Sequence, residues 1–201
     1  LYITDANLDA GFPLKSGDSV KKISFCGWYK AVSHPDSPIF AKWTIDGSLT
    51  NLSFWFAHNS NGYLTFGWGT GTSANWILHN FKAINDNQWY HFAVVIDGIA
   101  KTVHIRIWDG SVNSNYDWTY SNEISVTSGH LIIGNVAYSN SGLDGRVDEL
   151  VVFDRLLSDT EIDFIREQRY GPNLIHRCRD LFRSRRYRFR TAAVSLGEMP
   201  Y

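Results

Sequence analysis

Apolar and polar residues alternate along much of the chain with a period of two, the spacing of a strand with one buried face. Lys22 to Lys30 puts Ile23, Phe25, Gly27 and Tyr29 on one side and Ser24, Cys26, Trp28 and Lys30 on the other. Val103, Ile105 and Ile107 alternate in the same way against Thr102, His104, Arg106 and Trp108. Further strands are predicted at Ile39 to Ile45, Leu49 to Ala57, Tyr63 to Trp68, Trp76 to Phe81, Trp89 to Asp97 and His130 to Gly134. The clusters at Ser33 to Pro38, Asp46-Gly47, Asn59 to Gly62, Asn85 to Asn87, Asp97-Gly98 and Asp109-Gly110 supply turns. Residues 1–19, rich in Asp, Gly and Ser, read as an edge segment and loop. Ser111 to Glu123, polar with three aromatics, reads as a long loop.

The pattern changes near the end. Arg146 to Phe153 carries Val147, Leu150, Val151, Val152 and Phe153, too apolar for a surface loop and short enough for a buried strand. Ser158 followed by Glu161 is a capping-box signature: each side chain can satisfy the other residue's amide. With Leu157 before it and Ile162, Phe164 and Ile165 after it, this predicts one short amphipathic helix. Many short strands and one closing helix make an all-β antiparallel sandwich. At 201 residues, the chain can be one sandwich of ordinary size or at most two small domains. No apolar run approaches the ~18–20 residues of a membrane span. The chain begins at Leu1 rather than Met, so a segment ahead of it is expected to have been removed or left out.

Charge divides the chain in two. Residues 166–190 hold nine Arg against Glu167 and Asp180, a balance of +7, while residues 1–165 carry -7. The composition shift at Tyr170-Gly171-Pro172-Asn173 separates a sandwich over 1–169 from an Arg-rich tail over 170–201. Such asymmetry points to different partners for the two parts. Arg177, Arg179, Arg183, Arg185, Arg186, Arg188 and Arg190 are the candidate anchoring residues. They can meet an acidic protein surface, including a sister copy, or remain solvated. The alternation around Tyr187 and Phe189 also suits a strand added to a neighbour's sheet edge. A nucleic acid, held by these arginines with the two rings stacking on bases, is not the expected partner.

Three segments, in order, carry a resemblance. Trp89-Tyr90-His91-Phe92-Ala93-Val94, then Val103 to Gly110 with His130 to Gly134, then Gly145-x-Val147-Asp148-Glu149-x-Val151-x-Phe153-x-Arg155-x-Leu157-Ser158-x-x-Glu161-Ile162, are similar to the successive strands and closing helix of laminin-G-like, concanavalin-A-like jelly rolls. The resemblance covers residues 15–168. It implies the jelly-roll fold and a non-catalytic recognition or structural module that binds glycan or protein surfaces. Modules of this kind with a basic extension resemble accessory, decoration-type proteins of bacteriophage particles. That implies a virion-surface or extracellular setting, with sister copies or partner chains engaged through the tail. The alternative it leaves open is a secreted, calcium-dependent lectin or adhesin.

Candidate chemistry follows. Glucanases of this fold need paired carboxylates in the pattern Glu-x-Asp-x-(x)-Glu, which this sequence lacks. Asp148 and Glu149 are adjacent, so on a regular strand they face opposite sides, and no enzyme is expected. The resemblance implies a structural calcium ion pinning the first and last strands, with Asp148 and either Asp5 or Asp9 as ligands. The competing expectation is that Asp148 only accepts hydrogen bonds. A glycan site asks for an aromatic face with amide or carboxylate neighbours. Tyr116, Asp117, Trp118, Tyr120 and Asn122 in one loop, with Asn75 and Trp76 in another, have that composition; Trp118 folding back over an edge is the alternative. Trp28, Trp55, Trp89 and Trp108 are assigned to packing. Cys26 and Cys178 are either bridged or two separate thiols.

Overall fold

The structure, a computed structural model, describes residues 1–34, 36–44, 49–71, 77–134 and 142–167, together with the backbone of 186–189. Its strands are β1 (Tyr2–Ile3), β2 (Lys22–Ala31), β3 (Ser37–Trp43), β4 (Phe54–His58), β5 (Tyr63–Trp68), β6 (Ile77–Ala83), β7 (Trp89–Asp97), β8 (Thr102–Trp108), β9 (Asn113–Thr119), β10 (His130–Ile133), β11 (Gly145–Phe153) and β12 (Arg186–Phe189). The helix α1 (Asp159–Glu167) follows β11. All pairings are antiparallel. One sheet runs β1-β10-β3-β4-β5-β6 and the other β12-β11-β2-β7-β8-β9. The all-β antiparallel sandwich with one short helix is thus the observed fold.

Period-two alternation explains the core. Ile23, Phe25 and Tyr29 of β2 meet Phe40, Phe54, Phe56 and Phe66 from the facing sheet, with Phe92, Val94 and Ile96 of β7 beside them. Phe25 lies at the centre, 4.8 Å from Phe40 and 5.1 Å from Phe54 between ring centroids. The opposite face of β2, β7 and β11 is apolar too, with Cys26, Ala93, Val95, Val151 and Phe153 buried against Leu157 and Ile162. That second layer is why α1 docks there. The capping box forms as the spacing predicts: Ser158 N donates to Glu161 Oε2 at 2.9 Å, and Glu161 N donates to Ser158 Oγ at 3.4 Å. Ion pairs fix the helix further, with Arg106 reaching Asp163 at 2.7 Å and Asp159 at 3.0 Å. Arg166 lies 4.3 Å over the Trp108 ring.

Several expectations need correction. Ser111 to Glu123 is not a loop throughout, because Asn113–Thr119 forms β9 and pairs along the whole of β8. Its alternation is polar against aromatic rather than polar against aliphatic, which suits an edge strand with one wet face. Leu49 to Ala57 is divided: Leu49–Asn51 is a 3₁₀ turn and the strand begins at Phe54. Ser37 and Pro38, grouped with a turn, open β3, where Pro lies beside a register shift and so costs no regular ladder bond. The Asp46-Gly47 turn lies outside the described residues. So do Cys178, Arg177, Arg179, Arg183, Arg185 and Arg190. The strand predicted for a neighbour's edge is found on this chain's own sheet, the backbone of 186–189 pairing with Leu150 to Phe153. Among the described residues no helix is long and apolar enough to cross a membrane.

Candidate functional site

The two outer faces differ. The outer face of the β2–β7–β11 sheet is covered by α1, whereas the outer face of β3–β4–β5–β6 holds a cavity of about 350 Å³. It is lined by Asp36, Trp43, Leu52, Trp55, Asn59, Ser60, Asn61, Thr65, Leu78 and Asn80. Alternation along four strands sends Trp43, Trp55, Thr65, Leu78 and Asn80 outward. In β4, Phe54 and Phe56 enter the core while Trp55 and Ala57 turn away from it; in β5, Leu64 and Phe66 enter and Thr65 turns away. Cross-strand register then sets Ala57 opposite Thr65 and Thr65 opposite Asn80, with Trp55 opposite Gly67. Small residues at Ala57, Thr65 and Gly67 leave the space that Trp55, Leu78 and Asn80 wall in.

The walls are built from contacts within the chain. Trp43 and Trp55 pack edge to face at 5.0 Å between centroids, supported by Leu52, Ala41 and Ile132. Asn59 Nδ2 donates to Asn80 Oδ1 at 3.1 Å. Asn59 Oδ1 accepts from the backbone amides of Asn61 and Tyr63, closing the turn at the cavity mouth. Gly69 is needed nearby, since a Cβ there would stand 2.0 Å from the Leu52 carbonyl oxygen. Beneath the turn, the buried His58 bonds Tyr29 Oη through Nδ1 at 3.0 Å and His34 Nδ1 through Nε2 at 2.8 Å. His34 Nε2 in turn meets Asp86 at 3.1 Å. Burial and the neighbouring His34 ring pull the His58 pKa down to about 4, so the ring is neutral at neutral pH. Burial first, then Asp144 and Asp86, pushes the Tyr29 phenol up.

The residues expected to bind glycan are distributed differently. Tyr116 and Trp118 of β9 turn inward and pack on the core, with Trp118 stacked on His79 at 4.5 Å and Tyr116 tilted against Phe81 at 4.9 Å. Tyr120 is buried and stacks on Trp68 at 4.3 Å. These rings zip together β6 and β9, the last strands of their two sheets, so Trp118 does fold back over an edge. Asp117 takes the other face of β9 and meets His104 Nδ1 at 2.8 Å. The Asn122 carbonyl oxygen accepts from Trp68 Nε1 at 3.2 Å. The five therefore share no open face. Asn75 and Trp76 lie outside the described residues. Trp55, assigned to packing, does line the cavity; Trp28, Trp89 and Trp108 lie in the other sheet.

The carboxylates expected to hold calcium are not gathered. Asp5 is buried, 2.7 Å from the Lys42 ammonium. Asp148 lies in the other sheet at the bulge of β11, where its Oδ1 accepts from the Glu149 amide. Asp9 lies in the exposed loop after the first 3₁₀ turn. Among the described residues no group of three or more His, Cys, Asp or Glu could hold a metal ion. A carboxylate neutralised by an ammonium does not fit a calcium cradle. Cys26 is a free, buried thiol, pushed up to about 12 by burial and then by Glu149.

Comparison with solved structures agrees with the fold. A carbohydrate-binding module (CBM40) of a Ruminococcus gnavus IT-sialidase, bound to α2,3-sialyllactose, superimposes with a TM-score of 0.52 at 14% identity, over 72% of this chain and 81% of that one. A heptameric SAP-like pentraxin from Limulus polyphemus gives 0.50 at 20% identity, over 73% and 70%. NanB with optactamide gives 0.62 at 15% identity, over 82% of this chain but 26% of that one. Among curated proteins, none matches the sequence. The family model described as concanavalin A-like lectin/glucanases superfamily (Laminin_G_3) matches residues 6–163. With the sandwich, the closing helix and that match, the chain belongs to the concanavalin A-like lectin/glucanases superfamily.

Proposed function

We propose that the chain is a non-catalytic carbohydrate-binding module whose site is the outer-face cavity of β3 to β6. The observation that carries this is the combination of Trp43, Trp55 and Leu78 with Asn59, Ser60, Asn61, Thr65 and Asn80 around one cavity. Sugar rings offer an apolar C–H face and a ring of hydroxyls, and such a lining answers both. Its volume, about 350 Å³, is at the small end of ligand pockets and suits the terminal sugar or two of a glycan. The sugar bound by the Ruminococcus gnavus module lends support from a similar fold. Catalysis by paired carboxylates is not supported, since Asp36 is the one carboxylate among the described lining residues.

The test is a glycan array followed by titration calorimetry. Asn80→Ala changes an exposed residue and is expected to weaken the best ligand roughly five- to ten-fold. Trp55→Ala is expected to weaken it more. Parent affinity in both variants would remove the site from this cavity.

For the Arg-rich tail we propose attachment to sister copies or partner chains of a larger, extracellular or virion-borne assembly. The +7 balance over residues 166–190 against the acidic body supports it. Because the backbone of 186–189 pairs with β11 of its own chain, this reading assigns attachment to the arginines on either side. Truncation before Gly171 is expected to leave sugar binding intact and to abolish incorporation, read by co-sedimentation with the assembly. Incorporation of the truncated chain would end the anchoring role.

A further inference from the structure

The cavity contains an unmet hydrogen-bonding group. Thr65 is 1% exposed, lines the cavity, and its Oγ1 has no hydrogen-bond partner. A hydroxyl can donate once and accept twice, and buried hydroxyls are ordinarily paired. The register does not require it, because Ala57 on one side and Asn80 on the other would flank a valine equally well. Thr65 lines the cavity, so a ligand hydroxyl entering there would supply the partner that the chain does not.

The lining's charge is the second observation. Asp36 is the one charged side chain among the described lining residues, and no Lys or Arg is among them. An acidic sugar entering an apolar-walled cavity needs a cation, best an arginine fork, to offset its desolvation. Asp36 would oppose it instead.

We infer, on the carbohydrate-binding reading above, that the cavity takes an uncharged sugar terminus, one of whose hydroxyls completes the hydrogen bonding of Thr65 Oγ1. Sialic acids, uronic acids and sulfated sugars are then discriminated against, a charge preference opposite to that of a module holding sialyllactose.

The experiment presents the full chain with glycans in matched pairs, each neutral terminus beside the same core bearing sialic acid, uronate or sulfate. Neutral members are expected to bind at least roughly ten-fold tighter than their acidic partners. Asp36→Lys, at an exposed position, narrows that gap. Thr65→Val keeps or raises the melting temperature, because no internal bond is lost, yet weakens the best neutral ligand roughly five- to ten-fold. An acidic member binding as tightly as its neutral partner overturns the charge assignment and leaves the sugar-binding reading standing. A Thr65→Val variant with parent affinity overturns the role of the hydroxyl. An array with no bound glycan overturns the sugar-binding reading, and this inference with it.

Discussion

Replacing Asp5 by Ala lowers the stability of the sandwich by about 3–5 kcal/mol at pH 7, a large part of a typical domain's total. Lys42 points inward from β3 with a fully buried side chain. Its ammonium donates to Asp5 Oδ1 at 2.7 Å, to the Thr127 carbonyl oxygen at 3.0 Å and to the Gly129 carbonyl oxygen. Burial lowers the Lys42 pKa, and the bond to Asp5 works against that lowering. Without Asp5 the ammonium keeps two carbonyls but loses its countercharge, which is the costly half of breaking a buried pair. The pH dependence has a definite sign. A lysine whose folded pKa lies below its unfolded 10.5 costs stability below that value, and the cost fades as pH rises towards it. The deficit of Asp5→Ala is therefore expected to shrink between pH 7 and pH 9 in urea unfolding. Adding Lys42→Met should recover part of the loss, not all, since two carbonyl oxygens are left dry. A deficit under about 1 kcal/mol at pH 7 would show that the pair is solvated and the N-terminal segment does not depend on it.

Asp5 also shows where sequence reasoning stops. A carboxylate near the start of a jelly roll invites a metal, and its partner Lys42 lies 37 positions away at a place where alternation puts it in the core. Nothing local announces an inward lysine. Strands β2, β5, β7 and β8 were legible because aliphatic and aromatic residues recur there every second position, and the capping box was legible because its partners are three residues apart. Strand β9 was hidden by Asn113, Asn115, Asp117 and Thr119 at its outward positions, which read as loop chemistry. Part of the cavity was readable in principle. In Phe54-Trp55-Phe56-Ala57 and Leu64-Thr65-Phe66-Gly67 one side is uniformly large, and the other holds a Trp among small residues, a pattern of an outward hollow rather than of packing. What stayed out of reach was which outer face a helix would cover. That depends on α1 finding Cys26, Ala93 and Val95 on the other sheet.

Stability is expected to fall steeply as the pH drops from 6.5 towards 4, before most carboxylates titrate. Two buried histidines cause it. His58 has its pKa brought down to about 4, by burial first and then by His34. His91, 2% exposed under α1 and packed edge-on against Trp28 at 5.2 Å, is brought down to about 3 by burial and then by Arg166. In the unfolded chain both take up a proton near pH 6.5, so the unfolded state binds more protons throughout that window. The contribution is fully present above pH 6.5, is lost as the pH falls, and stops changing once the folded histidines protonate too. At about 1.4 kcal/mol per pH unit for each ring, the pair removes several kcal/mol by pH 4.5. Carboxylates held low by partners, such as Glu161 by Arg155 and Asp163 by Arg106, lose their contribution only below about pH 4.5, so the two effects separate on the pH axis. Chemical denaturation at pH 7.5, 6.5, 5.5 and 4.5 measures the slope directly. His58→Asn and His91→Gln, each less stable than the parent at neutral pH, should each flatten that slope by about half. A parent chain equally stable at pH 7 and 4.5 would mean that both rings reach solvent and protonate without unfolding.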